Sequence, residues 1–204
     1  ADRARAVRRD DVTVLPTIDI GIDGWTLRAW RDSDAPALAE HANNPKVWRN
    51  MSDSFPHPYT LAIAEHWVRQ GHIEFAGDNW AIALNDGAVG GCGIVQASGP
   101  QRCNAEIGYW LAETYWGRGV VARVAAALAE RAFTNPEISR VFAPIHAHNA
   151  ASMRVAMSER RNCTAWCWEI ALPNVSRNWA YSTPNSKARR ARPQARAATF
   201  TRPT

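Results

Sequence analysis

Asn104-Ala-Glu-Ile-Gly-Tyr-Trp-Leu-Ala-Glu113 runs straight into Thr114-Tyr-Trp-Gly-Arg-Gly-Val-Val121 and then into an Ala-rich stretch ending near Arg131. The first part alternates and is rich in Ile, Tyr and Trp, which is a strand pattern, whereas Val120 to Arg131 carries apolar residues at helical spacing. Gly117 and Gly119 lie between them, where the backbone has to turn and can come close to a ligand. The first N–H groups of a helix lack an intrahelical partner, and the positive end of its dipole lies there as well. Strand, Gly-x-Gly turn and helix in that order describe a seat for a phosphate. Taken alone, a Gly-x-Gly before a helix is as often an ordinary turn.

Outward from this stretch the chain reads as a sheet with helices. Trp25 to Trp30 alternates and suits a first strand, and Asp32, Ser33 and Asp34 offer caps for a helix through Ala37, Leu38 and His41, with Pro36 in its first turn. Asn43-Asn44-Pro45 ends that helix, and a short one follows around Val47 to Asn50. The two prolines of Phe55-Pro-His-Pro-Tyr-Thr60 exclude helix, and Thr60 then caps a helix over Ile63, Ala64, Trp67 and Val68. Asn79 to Leu84 and Ala88 to Gln96 are strands joined at Asn85-Asp86-Gly87, a hairpin signal, with Gly90, Gly91 and Gly93 marking a bulge or a close contact. Pro136 stops the central helix, Arg140 to Ile145 is a strand, and Asn149 to Val155 begins another helix.

Glu106-Ile-Gly-Tyr-Trp-Leu-Ala-Glu113 followed by Tyr115-Trp-Gly-Arg-Gly-Val-Val121 resembles the fourth strand and pyrophosphate loop of the GNAT superfamily of N-acetyltransferases, above all the branch of ribosomal-protein-alanine acetyltransferases. The resemblance spans roughly Gly24 to Val155. It implies an α+β GNAT fold, a mixed and mostly antiparallel sheet with helices on both faces, in which the fourth and fifth strands part to admit acetyl-CoA. The N–H groups of Gly117, Arg118, Gly119, Val120, Val121 and Ala122 then take the pyrophosphate, and a β-branched Val121, where the family often has Gly or Ala, crowds the loop. Trp110 and Leu111 pair with the pantetheine arm through their backbones, a main-chain N–H near Tyr109 polarises the acetyl carbonyl, and Asn149 hydrogen-bonds the arm.

Glu106 is the expected general base, and its plainer role is an exposed strand carboxylate in a surface pair. In the family the segment matching Pro58-Tyr59-Thr60 and its neighbouring helices roof the acceptor site, and His57, His66 and His72, in or beside that roof, are alternative bases. Ser152, one helical turn after Asn149, either protonates the leaving thiolate or bonds locally within its helix. Tyr59 and Trp67 either line the acceptor site or are core aromatics. The expected acceptor is a protein N-terminal amine. A small-molecule amine is the second reading, and a non-catalytic CoA-binding or frameshifted, defective family member is the third.

After Val155 the family pattern stops. The expected Gly-Phe and terminal β-hairpin are absent, so the hairpin is missing or altered, and Ala165 to Leu172 is the segment apolar enough to serve as a strand in its place. From residue 160 onward there are nine Lys or Arg against Glu169 alone, a balance of +8 that leaves −3 for residues 1–159 out of the total of +5. The basic character belongs to the tail and says little about the substrate. The tail either touches RNA or ribosome weakly through counterion release or is simply solvated. The chain divides into an N-terminal arm (1–23), one acetyltransferase domain (24–157) and an atypical, poorly ordered basic segment (158–204). No apolar run approaches the ~18 residues that cross a bilayer, and Arg3, Arg5, Arg8 and Arg9 precede no apolar stretch, which points to a cytoplasmic protein without a membrane partner. Cys163 and Cys167 with His146 and His148 fit no standard zinc spacing, so no metal is expected. Oligomeric state is left open.

Overall fold

The two-residue turn at Asn85 and Asp86, both at positive φ (45° and 71°), is the primed type that matches the twist of an antiparallel pair. It joins β3 (Asp78–Leu84) to β4 (Gly87–Gln96). The structure is a computed structural model that describes residues 15–75, 77–159 and 166–171. Before the hairpin come β1 (Ile18–Asp19), β2 (Trp25–Arg28), α1 (Ala35–Ala42), α2 (Pro45–Trp48), α3 (Leu61–His66) and α4 (His72–Glu74), a π turn at Trp67–Gly71 linking the last two. After it come β5 (Asn104–Leu111), α5 (Val120–Phe133), β6 (Arg140–His146), α6 (Ala150–Glu159) and β7 (Trp166–Ala171). The described sheet has seven strands in chain order, antiparallel from β1 to β5 and parallel from β5 through β7.

The glycine-rich β4 answers to both of its expected causes. Its register against β3 shifts between Ile82 and Ala83, leaving Val89 as the extra residue of a bulge. A Cβ on Gly91 would stand 2.8 Å from the Trp110 indole nitrogen, so the close contact is real as well. In place of a terminal hairpin, β7 pairs parallel with β6 from Val141↔Trp166 to His146↔Ala171, within the segment expected to form a replacement strand. The rest of the basic segment, with Cys163 and the cations from Lys187 to Arg202, lies outside the described residues, as do residues 1–14.

Alternation along the strands sorts the core into two layers. Trp80 and Ile82, with Ile107 and Leu111 of β5 and Val141, Ala143 and Ile145 of β6, face α5 and α6. Helix α5 meets them with Val120, Val124, Ala125, Leu128, Ala129 and Ala132, an apolar stripe at helical spacing. On the opposite face Ala81, Ala88 and Trp110 lie under α1, α3 and the Phe55–Tyr59 loop.

One buried ion pair ties the roof to this sheet. Arg28 of β2, 4% exposed, makes two parallel 2.8 Å bonds to the Asp34 carboxylate and donates to the Asp86 carbonyl in the hairpin turn. Asp34 also accepts the Arg31 N–H at 2.9 Å. Removing one partner of such a pair strands a buried charge. Asp34→Ala is therefore expected to lower stability by about 3–5 kcal/mol in urea denaturation, without loss of the hairpin.

Candidate active site

Strands β5 and β6 form only three residue pairs, Asn104↔Arg140, Ala105↔Val141 and Glu106↔Phe142, although each strand runs several residues further. The direction of the main-chain bonds explains where the ladder stops. Arg140 donates to the Cys103 carbonyl, so even-numbered β6 residues turn their main-chain groups toward β5. Phe142 is the next donor in that series, and the one after it is Pro144, which has no N–H. Past Glu106 the strands part and leave a slot.

On β5 the bonds from Ala97 to Asn104 and from Ala112 to Val89 fix the alternation the other way. Glu106, Gly108 and Trp110 direct their backbone groups to β4, while Ile107, Tyr109 and Leu111 turn theirs the other way: the Ile107 N–H meets the Phe142 carbonyl in the last rung of the β5–β6 ladder, and the Ile107 carbonyl, Tyr109 and Leu111 face the slot. This corrects the expectation for Trp110, whose main chain is paired across to Gly91 of β4 and cannot also receive a ligand. Leu111 keeps its N–H, but its carbonyl already accepts the Trp116 indole at 2.7 Å.

At the open end of the slot Gly117 and Gly119 adopt φ of +77° and +76°, with nothing within 4 Å of where a Cβ would stand. Gly119 caps α5 in the left-handed conformation without any side-chain cap. The first bond of that helix is from Arg123 to the Gly119 carbonyl, so the N–H groups of Val120, Val121 and Ala122 precede it and point outward. Val121 is partly buried against the α5 core layer, which carries its branched side chain away from the turn. Arg118 is exposed, folded over the Tyr115 ring with a bond to the Thr114 carbonyl.

Helix α6 begins beside the slot. Asn149 accepts the Ser152 N–H at 3.1 Å and donates its Nδ2 to the Ser152 hydroxyl at 3.0 Å. The local helix role is thus filled by the Asn149–Ser152 pair. Because the hydroxyl accepts from Asn149, its own proton is left to be donated elsewhere. Its neighbour is the Tyr109 hydroxyl, buried without a hydrogen bond of normal geometry. Burial pushes the phenol pKa up to about 12, and Ser152 opposes the shift from close by without making a full bond.

The opposite face of the slot carries the roof. Glu106 is half-buried and, by alternation, projects to the same side as Trp110 and Phe142. Trp110 meets Phe55 edge-on at 6.2 Å, and Phe55 lies against Tyr59 at 5.1 Å. Tyr59 is 5% exposed and Trp67 is half-buried, packed edge-on against Trp30 and Phe75, so both pack as aromatics of the layer under α1 and α3. Burial raises the Tyr59 pKa and keeps it neutral. Of the alternative bases, His72 is bonded to the Trp67 carbonyl and His66 sits 3.8 Å from Glu74 on the exterior. His57 is stacked on the 40%-exposed Trp48 at 4.5 Å. Trp48 and Trp116 are each 40% exposed, one stacked on the Pro-rich loop and the other bonded to the end of β5 beside the glycine turn. Among the described residues no cluster of three His, Cys, Asp or Glu could hold a metal ion.

Comparison with known proteins gives this geometry a context. Residues 25–159 match the Acetyltransferase (GNAT) domain family. The chain is 27% identical over 142 residues to the uncharacterized N-acetyltransferase p20 of Bacillus licheniformis, covering 65% of this chain and 76% of that one. Among solved structures it is similar to RimL, the ribosomal L7/L12 alpha-N-protein acetyltransferase in complex with coenzyme A, at 26% identity and a TM-score of 0.58 over 72% of this chain and 82% of that one. It shares the fold alone with AAC(6')-Ib in complex with ribostamycin and coenzyme A, at 22% identity and a TM-score of 0.55 over 65% and 80% of the two chains.

Two substitutions test the slot and its mouth. Gly119→Ala forces a Cβ into the left-handed region at a cost of ~1–2 kcal/mol, and CoA affinity by calorimetry should fall about tenfold. Pro144→Ala restores the missing donor, so the β5–β6 ladder should lengthen. Its expected signature is protection of the new amide at position 144 against hydrogen exchange, relative to an unstructured alanine, with several-fold weaker CoA binding.

Proposed function

Because the chain belongs to the Acetyltransferase (GNAT) family, we propose that it moves acetyl from acetyl-CoA directly to an amine, and that this amine is a protein N-terminus. The observation that carries the donor half is a continuous set of main-chain groups with no partner inside the protein. The amides from Gly117 to Ala122 suit a diphosphate, and the Ile107 carbonyl, the Tyr109 main chain and the Leu111 N–H suit the amides of a pantetheine arm. The residues present therefore fit the cosubstrate, which supplies acetyl as a thioester.

The protein's own contribution follows from where its groups point. The Tyr109 N–H faces the slot and is placed to polarise a carbonyl lying in it. Asn149 orients Ser152 so that its free proton is available to the departing sulfur, with the neutral Tyr109 hydroxyl behind it. Glu106 stands where the ladder ends, on the roof side from which an acceptor enters, and takes the proton that the amine must lose. Binding, orientation and proton movement are thus divided between the two faces of one strand.

The RimL likeness, above 25% identity and over most of both chains, supports a protein N-terminal amine as acceptor. Glu106→Gln is expected to reduce kcat by about 10²-fold in a thiol-release assay while CoA affinity stays within about twofold. Unchanged turnover would remove Glu106 as the base. The same assay run over short peptides with free N-termini and over small-molecule amines tests the acceptor. Release with the small amines and none with the peptides would overturn the peptide assignment.

A further inference from the structure

Three sets of contacts hold one short segment, Asn44 to Met51, across the open end of the slot. Asn44 uses both ends of its amide. Its Oδ1 accepts the Lys46 N–H at 2.8 Å and caps α2, and its Nδ2 donates to Glu113 Oε2 at 2.8 Å. The Lys46 ammonium pairs with the other oxygen of the same carboxylate. Glu113 follows the end of β5 and precedes the glycine turn, so this contact belongs to the β5 wall of the slot. The Lys46 pairing, and after it the Asn44 bond, hold the Glu113 pKa below the ordinary carboxylate range.

The other end of the segment is fastened to the β6 wall. His146, the last residue of β6, bonds the Met51 carbonyl at 3.1 Å, and His148 bonds the Arg49 carbonyl at 3.1 Å. A carbonyl only accepts, so both rings carry a proton on Nε2. The rings stack at 5.3 Å and brace each other. Bonds from Arg49 to Pro45, Asn50 to Val47 and Met51 to Trp48 make the segment a single tight turn that can transmit a constraint between its ends. The exposed Trp48 it carries sits on His57 of the Pro-rich roof loop.

We infer that Glu113, His146 and His148 are positioning residues that fix the segment from Asn44 to Met51 as a strap between the diverging strands, setting the acceptor roof at a fixed height over the donor slot. They touch neither reactant in this scheme and act through Asn44, Lys46 and the roof backbone. Glu113 contributes mainly through the Asn44 bond, because an ion pair as exposed as Lys46–Glu113 (57% and 37%) is weak. This inference rests on the acetyltransferase reading for its kinetic consequence but not for its structural one.

The test uses the full chain with Glu113→Ala, His148→Ala and Glu113→Gln. Hydrogen exchange at the amides of Arg49, Asn50 and Met51 should quicken about tenfold in either alanine variant, the equivalent of one lost hydrogen bond. KM for the acceptor should rise several-fold, with CoA affinity within twofold and the melting temperature within a few degrees. Glu113→Gln retains an acceptor for Asn44 and should restore most of both. Unchanged exchange would overturn the strap. Faster exchange with unchanged acceptor KM would overturn its role in positioning, as would kinetic losses that merely follow the melting temperature. Should the unsubstituted protein neither bind CoA nor release thiol, the enzymatic reading fails separately, and the exchange rates still decide whether the segment is held.

Discussion

A parallel ladder that ends after three residue pairs is the constraint on which the rest of this molecule depends. Leaving backbone donors and acceptors unpaired beside a core is costly, and a strand pair normally zips to the end of the shorter member. Here it cannot, because the β6 residue due to donate next is Pro144. The strands then diverge, the Leu111 carbonyl left without a ladder partner is met by the Trp116 indole, and the Tyr109 main chain is left facing the slot.

The same strand serves two different environments because its side chains alternate. Ile107, Tyr109 and Leu111 belong to the layer under α5 and α6, where Tyr109 reaches Ser152. Glu106 and Trp110 belong to the roof. The two faces of the strand are thus separated by the sheet itself, with Ser152 near one and Glu106 on the other. The buried Arg28–Asp34 pair and the Asn44 contacts fasten the roof elements to the strands they cover.

The bulge in β4 and the replacement strand β7 show how the sheet absorbs irregular sequence. Small residues at Gly90 and Gly91 let the Trp110 side approach closely. Where the family's terminal hairpin does not appear in the sequence, a parallel strand takes the edge of β6, which keeps that row of backbone groups paired.

Patterns that depend only on neighbouring residues were legible from the chain. Period-two alternation marked β5, helical spacing marked α5 from Val120 to Phe133, Asn85-Asp86 marked the hairpin, and the two glycines needing positive φ marked the turn between strand and helix. Each is decided by local sterics and by which face of one element is apolar. What the chain alone left open depends on a distant partner. Whether Tyr59 and Trp67 line a site or fill a core depends on what α1 and β4 place over them, and which backbone groups of Trp110 are free depends on the register with β4. The meaning of Pro144 depends on the direction in which β6 faces β5. The ties from Glu113 and the two histidines join residues 67 to 99 positions apart, a distance over which sequence carries no geometric signal until the sheet has brought them together.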